Sequence, residues 1–359
     1  MPSEQSSTLD RVRREIERNA LRARNGIKLA AGISRPKVGQ TPKDVVWSFG
    51  RAELWHYRSA APRYRPPLLI VPSLVSRSYL IDLAPGNSFI ESLVTAGFDV
   101  YMLDWGVPDE RDAANRFEDY VDLAIPAAIR QVRRRSRSRE VNLMGYCFGG
   151  VLTLMHAAHH PTSPLRSLTV VACPVDFARL GQLVDILGRT ELDVEKVIGE
   201  DGNIPARVIQ QSFRTLAPMG EITNYVNLLD KMWSPDFVAA HQLMNGWATD
   251  HIPFPGATAR QAHTMLTRDN GLMTGRIELG GDRVSLGDID VPFLAVLGSR
   301  DTIVPEAAAA PVMDVIGSTD KELLRMEGGH VGLIVGKNAQ RTTIPTFIEF
   351  LQKRSEPAT

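Results

Sequence analysis

One cysteine in this chain sits in a setting that could do chemistry, the run Gly145-Tyr146-Cys147-Phe148-Gly149-Gly150. Residues 141–144 (VNLM) before it read as a strand and residues 151–160 after it as a helix. A sharp strand-to-helix turn with small flanking residues presents a nucleophile in a strained conformation, and the helix N-terminus behind it offers backbone N–H groups to an oxyanion. The motif usually carries Ser at its centre, and here it carries a thiol. The plainer alternative is a buried cysteine in a glycine-rich bend. The strand–turn–helix context speaks for the nucleophile.

Such an elbow needs an acid and then a histidine downstream. VPFLAVLGSRD places Asp301 just after an apolar strand, and LLRMEGGH places His330 just after the next. Each alone is an ordinary loop residue. Together, at the carboxyl ends of consecutive strands, they complete a Cys147, Asp301, His330 triad in which His330 takes the thiol proton and Asp301 fixes its tautomer. The loop 72–77 after an early strand supplies the second oxyanion donor, so the backbone N–H groups of Val75 and Phe148 are nominated together.

Other candidates fall away. His156, His159 and His160 share the helix after the elbow, and His156 and His160 are four apart, as zinc-binding pairs are, but no Glu lies between them and no third ligand is evident, so surface or core histidines and no metal are expected. The run RRRSRSR (133–139) closes a helix, where cations complement the dipole. There is no G-x-x-x-x-G-K-[ST] loop and no G-x-G-x-x-G fingerprint, so neither ATP nor NAD is implied. Lys plus Arg and Asp plus Glu number 41 each, and this balance gives no basic excess to hold nucleic acid. Two cysteines, Cys147 and Cys173, fit a reducing compartment. No apolar run approaches the ~20 residues of a spanning helix, and the charged N-terminus is not a secretory signal. A cytoplasmic protein without a membrane span is the expectation.

The elements that must position these residues follow from patterning. From Val45 onward, short apolar or β-rich runs alternate with helical stretches up to Phe177, and the rhythm resumes after residue 284 with VPFLAVLG. Such alternation predicts an α/β fold, an α/β-hydrolase-type doubly wound, mostly parallel sheet. The polar, turn-rich segment between is expected to be a mainly helical cap over the active-site end. The expected division is a helical arm at 1–44, a first core part at 45–177, a cap at 178–284 and a second core part at 285–359. Trp247 and Asp250, in NGWATDH, are cap residues offered for the substrate entrance, with core and turn roles equally good.

From about Val45 to Leu351 the chain resembles the polyhydroxyalkanoate synthases, especially the short catalytic subunits of the two-component, class III type. The likeness rests on LIVPSLVSRSYLIDL, FDVYMLDWGVPD, VNLMGYCFGG, CPVDF, GNIP, YVNLLD, LGSRDTIVP and GGHVGLIVGKNA. The cysteine elbow alone would not decide, because dienelactone hydrolases carry a nearly identical GYC-x-GG. Asp104-Trp105-Gly106, the Pro174–Phe177 motif and the long cap make the match specific. Two positions depart from the pattern: Thr302 where many members have His, and Ser76 where Asn is common. These put substrate range and rate in doubt more than reaction class.

The resemblance implies that Cys147 takes an acyl group, His330 is the base and Asp301 its partner. The substrate class would be (R)-3-hydroxyacyl-CoA, joined into polyester with release of coenzyme A. No separate cofactor is implied, since coenzyme A arrives with the substrate. A second synthase subunit, of class III or class IV type, is expected as partner, at the surface of polyester granules, and a homodimer is left open. The rivals are a dienelactone-type lactone or thioester hydrolase and a non-catalytic granule-bound scaffold. Against the first stands the long insertion, and against the second the intact Cys, Asp and His. Acyl chain-length preference is not readable from sequence.

Overall fold

The computed structural model describes residues 4–31, 36–59, 62–181, 194–216 and 228–358. Segments 182–193 and 217–227 of the expected cap, with the turn APMGE and the first three residues of YVNLLD, lie outside them. The chain divides into two compact units, residues 1–38 with 217–249, and residues 39–216 with 250–359.

In the larger unit, eight strands form one sheet: β1 (Lys43–Phe49), β2 (Ala52–Tyr57), β3 (Tyr64–Val71), β4 (Phe98–Asp104), β5 (Val141–Tyr146), β6 (Leu165–Val171), β7 (Phe293–Gly298) and β8 (Lys321–Met326). Their order is β1-β2-β4-β3-β5-β6-β7-β8, and a short terminal strand, Glu356–Pro357, pairs with β3. The pairs from β4 through β8 are parallel, whereas β1 and β2 form an antiparallel hairpin along the β4 edge. This α/β architecture, mostly parallel with helical crossovers, is the one the alternating pattern predicts. Residues of β5 and β7 are buried throughout, as strands covered on both faces must be, which is why β7 reads as an unbroken apolar run and β5 as one broken only by Asn142, whose amide is hydrogen-bonded to the Pro66 carbonyl and Ser167.

Helix α1 (Phe89–Ala96) starts on Ser88, whose hydroxyl accepts the Glu91 N–H, and stops at left-handed Gly97, so both ends are set by residue chemistry. Helix α2 (Ile125–Ser136) continues from a π-helical turn, Asp119–Ala124, and ends in Arg133, Arg134 and Arg135, cations suited to a helix C-terminus. Helix α3 (Phe148–His159) follows the cysteine, and every residue from Gly149 to Ala158 is buried. A helix apolar on all sides belongs at the centre of a layered core. Helix α4 (Ile344–Gln352) packs against α1, with the Phe89 and Phe347 rings 5.4 Å apart.

The segment predicted as a cap holds short elements. A two-residue pairing joins Asn203–Ile204 to Phe254–Pro255, and a hairpin joins Ile277–Leu279 to Asp282–Val284. In the smaller unit, the helix Glu4–Ala30 is anchored by Asn25, which donates to the Met232 carbonyl at 2.8 Å, and by Arg18, whose guanidinium lies 4.6 Å from the centre of the Trp233 ring. No helix among the described residues is long and apolar enough to cross a membrane.

Candidate active site

Cys147 stands between β5 and α3 with φ 54° and ψ −123°, outside the regions that L-residues ordinarily occupy. Its N–H donates to the Val171 carbonyl at 2.8 Å, and its carbonyl accepts the Gly150 N–H at 2.8 Å, so both sides of the strained residue are tied. The neighbouring glycines explain themselves by space. A side chain at Gly149 would sit on the carbonyl oxygens of Val71 and Pro72, and one at Gly145 would meet Thr153 and the Gly149–Gly150 backbone. Close approach of backbones, rather than flexibility, is what the elbow demands of these two positions.

Asp301 and His330 lie just beyond β7 and β8. His330 Nδ1 is 2.7 Å from Asp301 Oδ2, and the ring is also hydrogen-bonded with Cys147. The other carboxylate oxygen of Asp301 accepts the N–H groups of Ile303 at 2.9 Å and Val304 at 2.8 Å. Asp301 is therefore held on both oxygens before it meets the imidazole, which fixes the ring's orientation. All three residues are buried, with exposures of 8% for Cys147 and 6% for each of the other two. Burial alone would push the imidazole's pKa down. The Asp301 carboxylate and the Cys147 sulfur outweigh it, and the value rises to about 10. The three residues that sequence reasoning selected from distant parts of the chain are brought together.

The two nominated oxyanion donors sit differently. Phe148 opens α3, and its ring stacks on Phe117 with centroids 6.1 Å apart and meets Phe254 edge-on at 5.5 Å. The Val75 N–H points to Ser73 Oγ at a long 3.4 Å, while the Val75 carbonyl accepts from Ile252 at 3.4 Å. Ser76 forms an isolated bridge with His251. Thr302 follows Asp301 and is exposed. Asp250 accepts from Tyr79 Oη at 3.0 Å and pairs with Arg77 at 3.4 Å, so it braces the residues that follow the Val75 loop. Trp247 is buried in the helix Pro235–Thr249 of the smaller unit.

Several residues around the site had been given no role there from sequence. Trp105 Nε1 donates to the Pro72 carbonyl at 3.0 Å, and Ser78 Oγ donates to Asp104, so the Asp104-Trp105 pair clamps both ends of the loop carrying Val75. Burial raises the Asp104 carboxyl, opposed by the hydrogen bond from Ser78. Tyr146 lies behind His330, with its hydroxyl 3.4 Å from the His330 carbonyl and the rings 5.4 Å apart. Asn270 donates to Asp176 at 2.9 Å and accepts the Phe177 N–H at 3.0 Å, which makes the Pro174–Phe177 motif a structural tie. The only advance signal for these partners was the Asp-Trp-Gly and Pro-Val-Asp-Phe runs themselves, because pairing across the chain is not a local property.

The alpha/beta hydrolase fold family matches residues 66–337, and the family described as the N-terminus of poly-beta-hydroxybutyrate polymerase (PhaC) matches residues 10–93. The second match begins ahead of Val45, where the motifs alone placed the start of the likeness. The chain is 34% identical to the poly(3-hydroxyalkanoate) polymerase subunit PhaC of Allochromatium vinosum, over 88% of this chain and 90% of that protein. It is 32% identical to the protein of the same name from Haloferax mediterranei, over 92% of this chain and 68% of that one. Among solved structures, the mouse alpha/beta hydrolase domain-containing protein 10 superposes with a TM-score of 0.51 at 16% identity, covering 87% of this chain and 99% of that chain, a likeness of fold. With an alpha/beta hydrolase frame and relatives of one name along most of its length, the chain belongs to the PhaC family of poly(3-hydroxyalkanoate) polymerases.

Proposed function

We propose that this chain polymerises (R)-3-hydroxyacyl groups from coenzyme A thioesters through an acyl-enzyme on Cys147. The observation that carries the reading is the hydrogen-bonded chain from Cys147 through His330 to Asp301, in a family of polymerases. In the first step Cys147 Sγ attacks the thioester carbonyl while its proton passes to the His330 nitrogen that faces it. Asp301 holds the opposite nitrogen and stabilises the imidazolium. The carbonyl oxygen gains negative charge, for which the N–H groups of Phe148 and Val75 are the nominated donors. Collapse breaks the carbon–sulfur bond to coenzyme A, and the departing thiolate takes the proton from His330. Exchange between two thioesters is nearly isoenergetic, so a thiol nucleophile neither traps nor wastes the acyl group.

In the second step the 3-hydroxyl of a growing chain or an incoming unit attacks the acyl-Cys147. His330 accepts the hydroxyl proton, an ester bond forms, and the proton returns to the Cys147 sulfur. Water would compete for the same carbonyl. The reading therefore assigns residues 178–284 the role of a cap that keeps it out. A second synthase subunit closing or opening that cap, a location at the polyester granule surface in the cytoplasm, and the absence of any cofactor beyond the coenzyme A of the substrate belong to the same reading. Thr302 and Ser76, where the family pattern has other residues, would tune substrate range.

The test supplies (R)-3-hydroxybutyryl-CoA with and without a candidate second subunit and follows free thiol and insoluble polymer. Thiol release with polymer supports the synthase reading. Thiol release without polymer in either arm makes the chain a hydrolase, and neither signal makes it a scaffold.

A further inference from the structure

The far end of α3 carries three histidines that the reaction does not use. They separate into two kinds. His156 is consumed inside the core, with Nδ1 2.9 Å from the Val121 carbonyl and Nε2 3.0 Å from Ser163 Oγ. His159 and His160 instead turn toward one carboxylate oxygen. His159 Nδ1 and His160 Nε2 are each 2.8 Å from Asp122 Oδ1, and the three ligand atoms lie within 4.8 Å of one another. The free nitrogen of His159, Nε2, faces Asp282 Oδ2 at 3.6 Å.

We propose that Asp122, His159 and His160 form a binding site for a divalent transition-metal ion, with Asp282 as an outer carboxylate on His159. Two imidazoles and a carboxylate match zinc, cobalt or nickel better than calcium or magnesium, which prefer oxygen ligands throughout. A metal-bound imidazole commonly gives its other nitrogen to a carboxylate, and Asp282 stands where that partner belongs. To suit a tetrahedral ion with bonds of ~2.0–2.1 Å, each imidazole nitrogen must draw back from Asp122 Oδ1 by roughly half an ångström, while the two nitrogens, now within 4.8 Å of each other, settle roughly 3.3 Å apart. His159 sits at the end of α3, His160 just past it and Asp122 in a π-helical turn, positions where so small a shift is inexpensive. The side chains of Asp122 and His160 are 20% and 36% exposed, which leaves room for water as the fourth ligand. Arg130 and Arg133 border the cleft on the side of His156 and His160, and their charge weakens cation binding, so a moderate affinity is expected.

Bound there, the ion would join three elements: the turn Asp119–Ala124, the end of α3, and the hairpin that carries Asp282. It would stabilise the folded chain by mass action.

Metal-free protein is titrated calorimetrically with zinc chloride, and in parallel the Cys147→Ala variant, whose active site has lost its thiol ligand. One saturable equivalent is expected in both, weakened at least tenfold in His160→Gln and in His159→Gln. Cobalt(II) added to the unaltered protein should give a ligand-field spectrum without a thiolate-to-metal charge-transfer band, and the melting temperature should rise with either ion. Absence of saturable binding overturns the proposal, as does binding that is unchanged in both histidine variants, binding that disappears with Cys147, or a thiolate band with cobalt.

Discussion

His330 and His156 are both buried and lie at opposite ends of α3, and their environments push them in opposite directions. At the N-terminal end, the Asp301 carboxylate and the Cys147 sulfur overcome burial and raise His330 to about 10. At the C-terminal end, burial dominates, the Val121 carbonyl opposes it only weakly, and His156 falls to about 4. The first imidazole is placed to take up a proton beside its carboxylate, and the second to refuse one. Burial is common to both, so the difference lies in whether a carboxylate meets the ring. Of these two buried histidines, only His330 faces both a strained cysteine and a fixed carboxylate.

The largest effect should come from removing the nucleophile. Cys147→Ala is expected to reduce acyl transfer to background while melting like the parent, because Ala is smaller than Cys and the elbow glycines remain. Polymer yield and a thermal melt check both halves. Next come the two partners, which the reading gives different duties. His330→Gln should block labelling of Cys147 by a thioester substrate. Asp301→Asn should still acylate slowly and then stall, with turnover down by about 10⁴-fold, the scale seen when an aspartate orients a triad histidine. Rapid-quench labelling separates the steps, and equal loss of both in the two variants would refute this division of labour.

Stability against pH reads the same contrast without any substrate. The pKa of His156 falls on folding, so its contribution is complete above about pH 6.5 and is lost as pH drops from there toward about 4, an effect of order 3 kcal/mol. The pKa of His330 rises, so its contribution is complete below about 6.5 and is lost as pH climbs toward about 10. His156→Gln should flatten the acid limb of a urea-denaturation series and leave the alkaline limb in place. His330→Gln should do the reverse. The smallest effect expected is at Trp105. Trp105→Phe keeps the ring but removes the hydrogen bond to Pro72, and turnover should fall about fivefold, corresponding to ~1 kcal/mol, with KM nearly unchanged. A change confined to KM would show that the loop does not position the oxyanion donors.

The sheet and the grouping of Cys147, Asp301 and His330 were legible in the sequence because both are written locally. β7 is a continuous apolar run and β5 one broken only by Asn142, the elbow glycines bracket Cys147, and Asp301 and His330 each come within four residues of a strand's end. What was not legible depends on residues far apart in the chain. Nothing near Trp105 announces Pro72 as its acceptor, and nothing near Asp176 announces Asn270. The histidine pair illustrates the limit well. Helical spacing drew attention to His156 and His160, whereas His160 shares its carboxylate with the adjacent His159 because the helix ends there and its backbone turns. Trp247 and Asp250, three positions apart, fall in different compact units.

The central claim is that acyl groups pass through Cys147. It is tested most directly by quenching the enzyme in acid during turnover of (R)-3-hydroxybutyryl-CoA and mapping the digested chain by mass spectrometry. The expected result is one or more 3-hydroxybutyryl units in thioester linkage on the peptide containing Cys147, absent from His330→Gln. Polymer and free coenzyme A formed with that peptide unmodified throughout, or with the acyl group on another residue, would contradict it.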